Sequence, residues 1–179
     1  LVLLLLLSSC AVSVAAQELT IPVRELALND TLPPMQGNDL NGRATELPRD
    51  VSGRLALLAL GFTSGSRHDV EAWTERFRKS HGADSSCTYY EIPVLGGMVR
   101  RMRPMIDGGM KKGTPPELRA HAMTVWQDAG DWKKRVGFKV GNTAYLMLLD
   151  RSGRVAWRHA GPVDEPAWDS LTRALTAAR

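Results

Sequence analysis

Three groups of side chains in this 179-residue sequence are of types that could do chemistry: a thiol, a His-Asp pair and a methionine stripe. Cys87 lies just before a predicted strand, and a thiol is a useful nucleophile only where its pKa is lowered. His68-Asp69 could exchange protons, but such a pair needs an adjacent nucleophile, and near a helix start Asp69 serves more simply as a cap. We therefore interpret Cys87 as structural, with a peroxidatic or metal-binding thiol as the alternative.

The methionine stripe consists of Met98, Met102 and Met105, which recur at helical spacing. Thioethers are soft ligands that can hold copper(I), so a copper site is one interpretation. The other is a flexible contact face or core filler, which is the commoner role of such residues. Histidines are not placed at metal-binding spacing such as His-x-x-x-His. We predict a contact face and no cofactor, with the copper site as a weaker alternative.

The N-terminal segment predicts export. Residues 1–16 carry no charge and begin with a leucine run, which is too short for a membrane span and typical of a signal peptide. The order Leu7-Ser8-Ser9-Cys10 fits a lipobox, whose cysteine is diacylated in bacterial lipoproteins. The alternative is cleavage after Ala16, with Cys10 removed. In both cases Cys87 has no internal disulfide partner.

A cluster of cations accounts for the whole net charge of +4. Segment 95–112 contains one acid, Asp107, and five cations: Arg100, Arg101, Arg103, Lys111 and Lys112. Nucleic acid is excluded as a partner because the protein is exported. Anionic lipid head groups, or an acidic face of a membrane-associated protein, fit this charge better. The alternative is a solvated basic helix without a partner.

The order of predicted elements is that of an α/β protein. The unbroken apolar run 55–62 predicts a central strand buried on both faces. Ser66 and Asp69 resemble a capping box ahead of a helix that ends at Gly82 and buries Val70, Trp73 and Phe77. The remaining predictions are an Asn41-Gly42 hairpin, strand 89–95, an irregular helix 98–112, a short helix 131–136, an antiparallel hairpin 145–157 and a last helix from Asp164. For segment 120–127 the sequence is consistent with two alternatives, a strand or a short buried segment.

Two stretches carry a resemblance to the thioredoxin-like superfamily in its redoxin form: Asn41 to Phe62, and Leu148 to Val155. More narrowly, residues 53–175 resemble the mitochondrial ATP synthase assembly factor ten family and its bacterial relatives. The residues that carry this likeness are Phe62, Ser66, Trp73, Phe77, Arg103-Pro104, Pro116-Glu117, the strand Gly153 to Trp157, and Gly161. The resemblance implies a three-layer sandwich with a central mixed sheet and a helical insert.

The resemblance also shows what this chain lacks. In thioredoxins the first strand ends in Phe, and a Cys-x-x-Cys pair opens the next helix, whose N-terminus lowers the thiol pKa. The corresponding residues here are Arg67 and Val70, and the superfamily's cis-proline falls at Ala144. We therefore predict loss of dithiol chemistry, with a remnant of the active-site edge at Ser66, Arg67, His68, Asp69 and Ala144.

These observations predict a signal peptide in residues 1–16, an N-terminal extension with a hairpin in 17–52, and a thioredoxin-like domain in 53–179. The predicted function is a redox-inactive binding, assembly or chaperone role at a membrane of the bacterial cell envelope, with a lipid anchor at Cys10. The alternatives are a one-Cys thiol peroxidase or oxidoreductase that uses Cys87, and a copper carrier.

Overall fold

A computed structural model describes residues 23–179, so the predicted signal peptide and Cys10 lie outside the described residues. The strands are β1 (Met35–Asp39), β2 (Ala44–Leu47), β3 (Leu55–Gly61), β4 (Cys87–Pro93), β5 (Met123–Thr124), β6 (Tyr145–Leu149) and β7 (Val155–Ala160). The α-helices are α1 (Arg67–His81), α2 (Arg103–Gly113), α3 (Ala129–Val136) and α4 (Glu165–Ala177).

The central sheet has four strands in the order β4-β3-β6-β7. β3 pairs parallel with β4 and antiparallel with β6, and β6 pairs antiparallel with β7, so the sheet is mixed as predicted. Every residue of β3 is buried, because helices cover one face and an N-terminal layer covers the other. The predicted central strand and the predicted hairpin of β6 and β7 are confirmed.

One face of the sheet is covered by α1 and α4. The predicted stripe of α1 is confirmed, since Val70, Trp73 and Phe77 are all buried there. The last helix starts where the sequence indicates, and the side chain of Asp164 caps it by accepting a hydrogen bond from the amide of Ala167 at 2.8 Å. These two helices form the first outer layer of the sandwich.

The other face is covered by the hairpin of β1 and β2, by β5 and by α3. Leu32, Met35 and Leu47 share one apolar core with Trp132 and Val136 of α3. The part of the predicted extension that begins at residue 23 therefore packs directly on the sheet. The three layers are those predicted for a thioredoxin-like sandwich.

The turn between β6 and β7 depends on a glycine. Gly153 has φ of +81°, and a Cβ there would lie 2.7 Å from the ring of Pro48. The carboxylate of Asp150 completes the turn by accepting hydrogen bonds from the amides of Ser152 and Arg154. The Asp-Arg-Ser-Gly motif in the sequence is thus explained by the turn geometry.

Two of the predicted elements differ from the structure in ways that change the position of candidate site residues. The strand expected at 89–95 runs from Cys87 to Pro93, so Cys87 is its first residue and does not precede it. The expected single helix over 98–112 is a 3-10 helix, Gly97–Met102, followed by α2. Pro104 explains the break, because proline has no amide hydrogen and is favoured in a first helical turn. The methionine stripe therefore spans a junction between two helices.

Candidate functional site

The loop between β3 and α1 leads into the residues that the sequence resemblance predicts to replace the reactive pair of thioredoxins. β3 ends at Gly61, and a Cβ on that residue would lie 2.6 Å from the hydroxyl of Ser66. Ser66 is itself helical, with φ −79° and ψ −9°, and its buried hydroxyl donates to the carbonyl of Thr63 at 2.7 Å. The predicted capping box of Ser66 and Asp69 is therefore wrong, because the Ser66 hydroxyl faces back into the preceding turn.

The segment before β6 lies against this loop. Thr143 donates its hydroxyl to the carboxylate of Asp69 at 2.9 Å, so Asp69 braces this neighbouring segment and does not cap α1. Thr63 donates to the carbonyl of Gly141 at 2.8 Å. Through the bond from Thr143 to Asp69, the segment that contains the buried Ala144 is held near the N-terminal end of α1.

Neither position of the missing thiol pair offers a nucleophile. Arg67 opens α1 on the surface, and its guanidinium is 2.6 Å from the carboxylate of Glu71. Val70 is buried in the core beneath it. His68 is exposed on the same turn. The start of α1 therefore presents no thiol that could attack a disulfide.

Cys87, the one free thiol of the described residues, lies at the opposite end of the sheet. It pairs with Leu55 at the start of β3, whereas α1 begins after the end of that strand, roughly 20 Å further along. Its side chain is buried, and its sulfur donates to the carboxylate of Asp84 at 3.6 Å. Burial raises the pKa of the Cys87 thiol, and the negative charge of Asp84 raises it further.

We expect Cys87 to react slowly in the native protein. A raised pKa leaves less thiolate at neutral pH, and burial restricts access, so 5,5′-dithiobis(2-nitrobenzoate) should modify the folded chain more slowly than the chain unfolded in urea. The rate should rise as the pH increases. Equal rates for folded and unfolded protein at neutral pH would contradict this prediction.

A cavity of about 500 Å³ lies between α1 and α2, and residues of β4 and of the loop after β3 also line it. The carboxyl group of Glu91 lines it, held by the hydroxyl of Thr74, which donates to Oε1 at 2.6 Å. The pKa of Glu91 is raised, mainly by burial and also by the negative charge of Glu71. The Thr74 hydrogen bond and the charges of Arg67 and His121 offset part of this increase.

Glu91 and Thr74 are not among the site residues predicted from the sequence. Two signals in the sequence could have identified them: an acid inside the apolar strand 87–93, and a threonine adjacent to the buried stripe of α1. Acids are rarely buried without a partner, so an acid in such a strand marks a candidate site.

The basic insert, defined as residues 97–113, is mostly surface. α2 has no buried residue, and Met102 and Met105 are 47% and 63% exposed. Four of its cations are exposed: Arg100, Arg101, Lys111 and Lys112. The side chain of Met98 is not described. The predicted copper ligands therefore lie partly on the outer surface and partly, with Met105, on the cavity wall.

Arg103 differs from the other four cations and corrects the predicted interaction surface. It donates to the side-chain carbonyl of Asn38 at 2.8 Å and to the carboxylate of Asp107 at 3.3 Å. Its guanidinium also lies 5.8 Å from the ring centre of Trp126. Arg103 thus anchors α2 to the N-terminal layer and is not a free surface charge.

Comparison with solved structures assigns the fold. The thioredoxin domain of a thiol-disulfide oxidoreductase from Bacteroides vulgatus superimposes with a TM-score of 0.56 at 19% identity, covering 84% of this chain and 99% of that one. The chain therefore has a thioredoxin fold. The exposed lipoprotein thioredoxin of Streptococcus pneumoniae gives a TM-score of 0.58 at 12% identity, covering 81% of this chain and 99% of that one.

A third similar structure is BsSco, described as a member of the Sco family of cytochrome c oxidase assembly proteins. It gives a TM-score of 0.59 at 12% identity, and covers 87% of this chain and 98% of that one. No family model matches the sequence, and no curated protein matches it. Within residues 23–179, none of the helices has the length and apolarity needed to cross a bilayer.

Proposed function

We propose that this protein is a non-enzymatic binding protein of the bacterial cell envelope, which uses a thioredoxin fold as a scaffold to contact or help assemble a membrane-associated partner. The observation that carries the proposal is the absence of a thiol at Arg67 and Val70, where α1 begins. Cys87 cannot replace them, because it is buried at the other end of the sheet. The fold then provides a surface for binding a partner. Thiol–disulfide exchange at the start of α1 has no residue to perform it.

The basic insert is the proposed contact element. It carries four exposed cations and two exposed methionines, and α2 buries none of its residues. Such an element suits an anionic bilayer surface or an acidic face of a membrane protein, since cations steer it there and methionines adapt to irregular apolar contacts. The outward position of the insert supports this role.

An assembly role has two sources of support. The sequence resembles the ATP synthase assembly factor ten family, and the similar structure BsSco is named as a member of a family of oxidase assembly proteins. A location in the envelope, with a lipid anchor at Cys10, follows from the lipobox and fits the lipoprotein thioredoxin among the similar structures. The lipobox lies outside the described residues.

We expect no disulfide reductase activity. Insulin reduction by dithiothreitol should proceed at the background rate in the presence of this protein, and at the same rate with the Cys87→Ser variant, because residues 23–179 contain no activated thiol. A thioredoxin assayed in parallel provides the positive control. A rate above background that disappears in Cys87→Ser would overturn the non-enzymatic proposal and favour a one-Cys oxidoreductase.

A further inference from the structure

The cavity between α1 and α2 combines a half-buried carboxyl group with apolar walls. We propose that it binds an aliphatic ammonium, meaning a primary cation at the end of an unbranched apolar chain, with the Glu91 carboxylate as its counter-ion. This site can be tested separately from the proposed membrane contact, because the four exposed cations of the basic insert are not among the residues that line it, and Met105 is the one residue named for both.

Glu91 is the reason why the ligand should carry a positive charge. Its Oε1 accepts from Thr74, and in residues 23–179 no other side chain donates to this carboxyl group. Two basic groups lie near Glu91. Arg67 lines the cavity but is paired with Glu71 at 2.6 Å, and His121 has its Nδ1 3.0 Å from the carbonyl of Tyr89. The half-buried carboxylate therefore has one hydrogen-bond donor of its own and is complementary to a further positively charged group.

The residues of the cavity walls are the reason why the ligand should have an apolar chain. Val70 and Pro93 on one side, and Met105, Ile106 and Met110 of α2 on the other, supply branched aliphatic and thioether surface. Among the described residues that line the cavity none is aromatic, so cation–π capture of a quaternary ammonium is not the mode it offers. A primary ammonium, which donates hydrogen bonds to a carboxylate, fits better.

The size and access of the cavity fit a short chain. Its volume of about 500 Å³ lies within the range of small-molecule sites. Gly109 and Gly113 are both among the residues that line it, and a Cβ on either would meet no atom within 4 Å. The wall formed by α2 is therefore open at these two positions.

A primary ammonium on an aliphatic chain can come from two sources, a free aliphatic amine or a lysine side chain of a partner protein. The test uses n-hexylammonium for the first and Nα-acetyl-lysine methylamide for the second, titrated into the full chain by calorimetry. n-Hexanol and hexanoate have the same chain without the cation. In the wild-type protein we expect n-hexylammonium to bind at least about tenfold more tightly than n-hexanol or hexanoate. The reason is that a hydrogen bond between charged partners is stronger than one between neutral partners.

Glu91→Gln keeps the shape and a hydrogen bond to Thr74 but removes the charge. It should weaken n-hexylammonium binding at least about tenfold while leaving n-hexanol unchanged. Glu75→Gln is the matched control: it removes an exposed acid from α1, the helix that carries Thr74, and should bind as the wild type does. The variant Arg100→Gln/Arg101→Gln/Lys111→Gln/Lys112→Gln should also retain the site, which separates this test from that of the membrane contact.

Binding of both ammonium probes supports the site and admits a lysine side chain, and binding of n-hexylammonium alone supports the site for free amines. Failure of both to bind overturns the proposal. Equal affinity for ammonium, alcohol and carboxylate in the wild type overturns it as well, and this ranking needs no variant to fold. Undiminished ammonium binding by a folded Glu91→Gln chain would also contradict it.

Discussion

Replacing the four exposed cations of the basic insert with Gln is expected to weaken binding to anionic vesicles by about a thousandfold. Each Lys or Arg close to a charged bilayer contributes about 1 kcal/mol of attraction, so four contribute about 4 kcal/mol, and about 1.4 kcal/mol corresponds to a factor of ten. The variant changes Arg100, Arg101, Lys111 and Lys112, and leaves the anchoring Arg103 in place.

The fold should survive, because exposed substitutions usually change the free energy of unfolding by less than about 0.5 kcal/mol each. Co-sedimentation with anionic and with neutral vesicles, at low and high salt, measures the effect, since screening shortens the attraction to about 8 Å at physiological ionic strength. A control variant removes the same charge from other surfaces: Arg78, Lys79, Arg151 and Arg173, each changed to Gln.

The control variant should bind nearly as the wild type does. Equal losses in the two variants would mean that total charge, and not the insert, determines binding. If the insert variant binds like the wild type with the same salt dependence, the insert is a solvated face and the proposed contact element is wrong.

The second large effect is expected on the stability of the fold, when the buried Trp73 is replaced. Trp73→Ala is expected to lower the free energy of unfolding by about 3–5 kcal/mol, the range of large-to-small changes at buried aromatic sites. Trp73 is fully buried, and its indole donates to the carbonyl of Gly161 at 3.0 Å. Its ring also lies within 6.2 Å of the ring centres of Trp157 and Trp168.

Urea unfolding followed by circular dichroism measures this change. Trp73→Phe should cost less, because it keeps an aromatic ring and loses mainly the hydrogen bond to Gly161. Leu28→Ala serves as the exposed control, since Leu28 is 57% exposed and its replacement should cost less than about 0.5 kcal/mol. A loss below about 1 kcal/mol for Trp73→Ala would show that the aromatic cluster does not hold α1 against the sheet.

The elements that the sequence predicts correctly are those whose pattern is local. Burial on both faces makes β3 a continuous apolar run, and the spacing of Val70, Trp73 and Phe77 matches one face of α1. The turn at Asp150 to Gly153 also carries its own signal, because its hydrogen bonds join residues at most four apart. Short-range periodicity is enough to place such elements.

The predictions that were wrong concern residues with two plausible partners. Ser66 was assigned to a capping box, but the preceding turn offers its hydroxyl the carbonyl of Thr63. Arg103 was counted as a surface charge, but Asn38, 65 residues earlier, accepts its hydrogen bond. Cys87 joined the strand because β4 pairs with β3 from Leu55 onward. For Arg103 and Cys87 a contact between residues distant in the sequence determined the outcome, and for Ser66 a second local acceptor did.

The sequence by itself determined the thioredoxin-like layers and the absence of thiols at Arg67 and Val70, because both follow from residue types along the chain. Only the tertiary structure decided where the remaining polar groups meet. Glu91 and Thr74 lie 17 residues apart, on a strand and a helix, and share a hydrogen bond because β4 and α1 pack side by side. A carboxyl group becomes a candidate site through the burial that this packing imposes, and burial is a property of the assembled chain.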